Sequence, residues 1–272
     1  MKRFAVLAVL AGVAAGANAQ IITAQETNAM TLADILVPTG SPVSVVGASL
    51  KYHNDAWSGS GLASAGYFIS GADNYDLGAT GIVLSSGAVP FYGTGPNTST
   101  GFSTGGVVSA DASDEALLDP ITGGGFDHYD VTRLDLLVDA GPNATVIAFD
   151  VVFGSEEWSE YVGSSFIDGF GLYVNGVNVA FESGLPININ HPGMAGIVET
   201  ELDGVLVGAT GSPKMKFVVP VNPGINELTF IVADASDWVL DTTVYIETLV
   251  PAPSSLALVG IGGFAALRRR RA

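Results

Sequence analysis

The chain has 272 residues, no cysteine and three histidines, with 27 acidic against 10 basic residues and a formal net charge of −17. Charge of that sign repels phosphate backbones, so nucleic acid is excluded as a partner, and it attracts cations. Without cysteine there are no disulfides and no thiolate metal sites, and a chain of this length can bury a full core without them.

In chain order, residues 1–19, "MKRFAVLAVLAGVAAGANA", join a basic start (Lys2, Arg3) to an apolar run and a small-x-small ending at Ala17-Asn18-Ala19. This is the pattern of a secretory signal peptide cut before Gln20, and its apolar run is short for a membrane span. The predicted body, residues 20–249, is a single domain with a short helix within 27–38, where Thr31 is placed to cap and Pro38 to stop it. "ATGIVLSSGAV" (79–89) reads as a buried strand with glycine at both borders. The polar stretch 93–106, "GTGPNTSTGFSTGG", reads as a long loop.

"ATVIAFDVVFG" (144–154) alternates, with Ile147, Phe149, Val151 and Phe153 on one face and Asp150 on the other. "DGFGLYVNGVNVAFE" (168–182) reads as two strands joined at Asn175-Gly176, a pair suited to the positive φ angles of a type I′ turn. "NELTFIVADASDWVLDTTVYIETLV" (226–250) predicts two more strands around an acidic loop. Short strands, 35 glycines and turn chemistry between them point to an all-β fold, a single antiparallel β-sandwich of jelly-roll-like form.

The chain ends "VPAPSSLALVGIGGFAALRRRRA": a Pro-rich opening, an apolar run from Leu256 to Leu267, then Arg268, Arg269, Arg270 and Arg271. Arginines at the cytoplasmic edge of a marginal span would halt export there and hold the body outside. This tail resembles the PEP-CTERM sorting signal, with Pro251-Ala252-Pro253 as its box and alanine where the family has glutamate. The resemblance implies recognition by an exosortase-type membrane enzyme. Export to the cell surface, outer envelope or extracellular space follows as the expected localisation.

Removing both ends leaves Lys51, Arg133, Lys214 and Lys216 against all 27 acidic residues. The carboxylates gather in four places: Glu156, Glu157, Glu160 and Asp168; Asp234, Asp237 and Asp241; Asp111, Asp114, Glu115 and Asp119; and Asp127, Asp130 and Asp135. The first two groups each follow a strongly apolar strand, at strand-to-loop junctions. Calcium takes six to eight oxygens from carboxylates, carbonyls and water on bent backbone, which such loops supply. No cluster has EF-hand spacing, and scattered His53, His128 and His191 do not build a zinc site.

The expectation is therefore a calcium site at Glu156, Glu157, Asp168, Asp234, Asp237 and Asp241. Two alternatives stand beside it. Trp158, Tyr161 and Trp238 could form a stacking platform for extracellular polysaccharide, with a surface protein as the other kind of partner. A glycosidase-like pair would need two carboxyl groups across an open cleft. Adjacent Glu156 and Glu157 cannot be that pair, because neighbours in extended backbone point opposite ways. No catalytic residue is assigned and no enzyme is expected. A further reading gives the glutamates no ion at all, only backbone N–H groups to cap.

"VIAFDVVFGSEEWSEYVGSSFIDGFGLYVNGVNVAF" closely resembles the hallmark segment of the choice-of-anchor L domain, a strand followed by F-G-S-E-E-Y-x-E-Y, a short S-S-F-x-D and a second strand. Trp158 stands where that family usually has tyrosine. "TGIVLSSG" and "IVADASDWVLDTTVYIE" look like its other recurrent segments, which extends the resemblance over nearly all of 27–249. It implies a β-rich bacterial exported protein, structural or adhesive at the cell surface or in the matrix, and transfers no catalytic residues.

Overall fold

The computed structural model describes residues 20–41, 43–142 and 144–247 and the backbone of 250–251. The signal segment 1–19, the box residue Pro253 and Arg268 to Arg271 lie outside the described residues.

Strand β1 (Ile21–Gln25) leads to helix α1 (Ala29–Leu36), then β2 (Val43–Lys51), β3 (Ala65–Ser70) and β4 (Thr80–Ser85). A 3-10 turn at Val89–Tyr92 and helix α2 (Ala112–Thr122) precede β5 (His128–Ala140), β6 (Val146–Ser155) and β7 (Gly169–Val174). Five short strands follow: β8 (Val177–Asn178), β9 (Phe181–Glu182), β10 (Leu185–Asn188), β11 (Met194–Ala195) and β12 (Gly204–Leu206). The last are β13 (Met215–Pro220), β14 (Gly224–Ala235), β15 (Thr242–Glu247) and β16 (Val250–Pro251).

These strands make two antiparallel sheets. One runs β1-β3-β4-β15-β6-β12-β11, with β13 and β16 also paired to β6; the other runs β2-β5-β14-β7-β10-β9, with β8 on β7. Alternation explains how they close on each other. Ile147, Phe149, Val151 and Phe153 of β6 share one buried cluster with Leu134, Leu136 and Val138 of β5 and Leu228, Phe230 and Val232 of β14. At its centre the rings of Phe149 and Phe230 meet edge to face, 5.3 Å apart. The β-sandwich expected from the sequence is the fold observed.

The outer faces are covered as well. On the first sheet Val83, Val152 and Tyr245 lie in a second cluster with Tyr75, Leu77, Tyr92 and Leu202. On the second, Tyr173, Ile231 and Ala233 pack against Leu118 and Ile121 of α2. Strands buried on both faces lose the strict apolar–polar alternation, which is why β6 reads "VVF" at its end.

The Asn175-Gly176 turn is as expected: φ is +51° and +79°, and Val174 pairs with Val177. The predicted first helix is present, but Asn28 caps it, not Thr31. The Asn28 side chain accepts the Thr31 N–H at 3.1 Å. Residues 79–89 divide: the strand ends at Ser85 and the chain turns into the 3-10 segment. Helix α2 was not expected at all. Asp111 caps it by accepting from Ser113 and Asp114, and Gly123 ends it at φ +103°. The third acidic group is thus largely a helix start, where carboxylates meet free N–H groups. Pro251, assigned to the sorting box, pairs with Ile147 as part of β16.

Truncating a central ring tests the sandwich. Phe230→Ala is expected to destabilise by ~3–5 kcal/mol through lost burial and a residual cavity. Urea unfolding should show it as a lower midpoint with little change in slope.

Candidate functional site

The site is created by two crossings between the sheets. β6 of the first sheet leads through 156–168 into β7 of the second, and β14 of the second returns through 236–241 to β15 of the first. Registry brings the crossings to the same end of the sandwich. Thr242 pairs with Ser155 and Ala233 with Gly169. On the other edge of β6, Gly204 of β12 also pairs with Ser155.

Five of the six predicted carboxylates are buried here: Glu156, Glu157, Asp168, Asp234 and Asp241 are each at most 1 % exposed, and Asp237 is half-buried. They do not converge on one point. Glu156 and Glu157 sit in a bend just past the end of β6, and apart from Glu160 their charged neighbours differ. Glu157 faces Asp168 and Asp237. Glu156 faces Asp203, Asp241 and Glu201. Exposed Glu160 acts electrostatically on both. Asp234 lies behind Asp168, with Asp241 and Asp130 as further charged neighbours.

Their hydrogen bonds separate them into two kinds. Asp241 is fully engaged: Tyr92 Oη donates to Oδ2 at 2.6 Å, and Thr104 approaches it through its N–H at 3.0 Å and its hydroxyl at 2.5 Å. Gly87 has no side chain because a Cβ there would meet Asp241 Oδ2 at 1.7 Å. Asp241 is therefore a fastener for the polar loop, and its assignment as a metal ligand does not fit its partners. Asp168 accepts from the Ala235 N–H at 2.9 Å and the Thr242 hydroxyl at 2.8 Å, one donor per oxygen. By contrast, both oxygens of Glu156, both of Asp234 and Oε2 of Glu157 are buried without a hydrogen-bond partner.

Among the described residues no lysine or arginine pairs with them. Lys51 pairs with Asp111 and Asp114, Arg133 with Asp114 and Asp135, Lys214 with Glu247 and Lys216 with Asp150. These are all the basic residues of the body. Burial consequently pushes the Glu156 carboxyl from its ordinary 4.5 up to about 10, with Asp203, Asp241 and Glu201 adding to the shift. Glu157, Asp168 and Asp234 are raised too, first by burial, then in Glu157 and Asp234 by each group's like-charged neighbours.

Sequence reasoning missed Glu201 and Asp203. The signal was alternation in "ETELDG" (199–204), which puts Glu199, Glu201 and Asp203 on one side of an extended segment. That side grips the polar loop: Thr94 donates to Glu199 at 2.8 Å, Thr98 to Glu201 at 2.6 Å through its hydroxyl, and Asn97 to Asp203. Further on, Gly105 N–H bonds to Asp55 at 3.0 Å and Gly106 N–H to Asp130 at 3.0 Å. The loop 93–106 is strapped down by carboxylates along its length.

Another set of potential ligands lies apart from this site. Glu115, Asp119 and His128 bring three ligand atoms within 4.8 Å of one another. There His128 Nδ1 is 2.5 Å from Glu115 and Nε2 is 3.2 Å from Thr122, so the ring is already satisfied and ties α2 to β5.

Each of the three aromatics packs on a different neighbour. Half-buried Trp158 lies on Gly204, where a Cβ would meet its ring at 2.6 Å. Trp238 packs edge to face on Tyr129 at 5.5 Å, and Tyr161, exposed, on Phe166 at 5.4 Å. Nor do Glu157 and Asp168 flank an open cleft, since both are buried.

The raised carboxyls dictate a pH response. A carboxyl whose folded pKa exceeds its unfolded value favours the fold in acid, and that advantage fades as pH rises above the unfolded value. For Glu156 this window runs from about 4.5 to about 10. In EDTA the melting temperature is expected to fall steadily between pH 5 and 8, and Glu156→Gln should flatten the slope.

Comparison with known proteins adds a family but no ligand. No curated protein matches the chain. Among solved structures, a carbohydrate-binding module studied for specific mannan recognition, TmCBM27, aligns at 12 % identity over 84 % of this chain and 95 % of that one, with a TM-score of 0.29. An exo-β-1,3-galactanase from Phanerochaete chrysosporium aligns at 12 % identity over 72 % of this chain and 42 % of that one, with a TM-score of 0.19. Superpositions this loose bear on neither ligand nor activity. The choice-of-anchor L domain model matches residues 21–192. That span takes in the polar loop, α2 and the whole Glu156–Asp168 crossing, and stops before β12 and the Asp234–Asp241 crossing. With well over half of its length matched, the chain belongs to the choice-of-anchor L domain family.

Proposed function

We propose that this is an exported protein of the cell surface or extracellular matrix whose β-sandwich is a structural or adhesive module locked by calcium. The ion is held by Glu157, Asp168, Asp234 and Asp237, where the two inter-sheet crossings meet. The observation that carries this reading is three buried carboxyl oxygens without a hydrogen-bond partner, Oε2 of Glu157 and both of Asp234, each residue an electrostatic neighbour of Asp168, with every lysine and arginine of the body engaged elsewhere. The ligand atoms stand further apart than 4.8 Å, and the ion would draw them in. An all-oxygen donor set on bent backbone suits calcium over zinc, and over magnesium, which resists dehydration. Export rests on the signal pattern at 1–19. Sorting by an exosortase-type enzyme rests on Pro251, Pro253 and the four arginines.

Structurally, the ion would neutralise charges that otherwise oppose closure of the two loops. The loops and the strapped segment 93–106 would then present a fixed surface to an extracellular polysaccharide or surface protein.

Purified protein melted in EDTA and then in rising calcium tests this, with magnesium as control. Free calcium at a hundredfold excess over Kd should stabilise by about 2.7 kcal/mol and raise the midpoint saturably. Asp237→Asn should weaken the response while leaving the EDTA melt near that of the wild type, because Asp237 is only half-buried. A midpoint indifferent to calcium at pH 7 to 8 would remove the ion from this reading.

A further inference from the structure

We propose a second cation site, separate from the first, formed by Glu156, Glu201 and Asp203 where β12 joins the end of β6. It shares no ligand with the site around Glu157, and its function is to clamp the loop 93–106 to the end of the sandwich.

Placement is a matter of register. Gly204 pairs with Ser155 and Val205 with Gly154, antiparallel, and just past this last pair Asp203 is the foremost charged neighbour of Glu156. Two residues earlier, Glu201 returns to the same side. Glu156 enters fully buried, its backbone N–H held by the Asp241 carbonyl at 3.0 Å and neither carboxylate oxygen partnered. Asp203 has Oδ1 on the Asn97 amide and Oδ2 buried without a partner. Glu201, also buried, uses Oε1 to accept the Thr98 N–H at 2.9 Å. No lysine, arginine or histidine among the described residues forms an ion pair with any of the three.

Burying an unpaired carboxylate is expensive, and in the absence of a cation it is met by protonation. Here that group is Glu156, and beside it stand Asp203, with one oxygen unpartnered, and Glu201, which add negative charge and no donor to it; together they ask for a cation in common. The donors are all oxygen, so the ligand class is a hard divalent ion, with calcium the natural probe. The carboxylates stand further apart than the 4.8 Å within which Glu115, Asp119 and His128 gather, and the ion would draw them in. Because Glu201 and Asp203 already hold Thr98 and Asn97, tightening the cluster tightens the loop.

The test is calcium stoichiometry by equilibrium dialysis at pH 7.5 on the whole purified protein, paired with hydrogen exchange over 93–106. Wild type is expected to bind two ions. Asp203→Asn should bind one and lose calcium-dependent protection of the loop. Asp237→Asn should also bind one and keep that protection. Glu156→Gln, which replaces a carboxyl that must take up a proton on folding with a neutral isostere, should fold in EDTA at least as stably as wild type and still bind one ion fewer. Its soundness keeps the inference falsifiable if Asp203→Asn does not fold. Unchanged stoichiometry in both Asp203→Asn and Glu156→Gln would overturn the second site and leave the first intact. A single ion lost in those two variants but kept in Asp237→Asn would sustain this site and remove the first. Absence of any calcium binding would overturn both.

Discussion

Everything at this end of the sandwich depends on one constraint: carboxylates buried at strand ends with no cation among the described residues paired to them. Moving an ionised carboxylate out of water costs several kcal/mol even after relaxation. A protein can meet that cost with hydrogen-bond donors, a proton or a metal ion. Different residues here meet it differently, and the choice follows from what each carboxylate can reach.

Asp241, Asp130 and Asp55 reach backbone. They accept N–H groups from Thr104, from Gly106 to Val108 and from Gly105, and so fix one half of the polar loop. Glu199, Glu201 and Asp203 hold the other half through Thr94, Thr98 and Asn97. A segment whose one large apolar side chain, Phe102, packs on Phe91 and Tyr92 is otherwise ordered by acceptors supplied from other strands. Both oxygens of Glu156 and Oε2 of Glu157 reach no donor, and Asp234 has only the Ser86 hydroxyl nearby. They sit where the loops cross between sheets, and there the remaining answers are a proton or a cation. Backbone capping, expected of the glutamates after β6, falls instead to Asp241, Asp130 and Asp55, while both oxygens of Glu156 and Oε2 of Glu157 meet no donor.

The strand framework was legible because its period is local. Ile147 to Phe153 alternates, Asn175-Gly176 specifies its own turn, and the glycines mark strand borders. Helix α2 was hidden by its composition. Its acidic first turn looks like a ligand cluster, and Pro120 interrupts the apolar pattern of Leu118 and Ile121. The cap at Asn28 was missed by three positions because threonine and asparagine are both good caps and sequence does not rank them strongly.

What the sequence determined by itself was the class of fold, the turn at Asn175-Gly176, and the concentration of acid at two strand ends. Each follows from backbone periodicity or composition, which need no knowledge of distant partners. Tertiary structure alone decided which carboxylates share a neighbourhood. Glu156 and Asp203 are brought together by the pairing of Gly204 with Ser155, and Asp241 is withdrawn from the cluster by Tyr92 and Thr104. Strand registry and sheet crossings between residues far apart in the chain set those contacts, and the local sequence on either side carries no record of its partner.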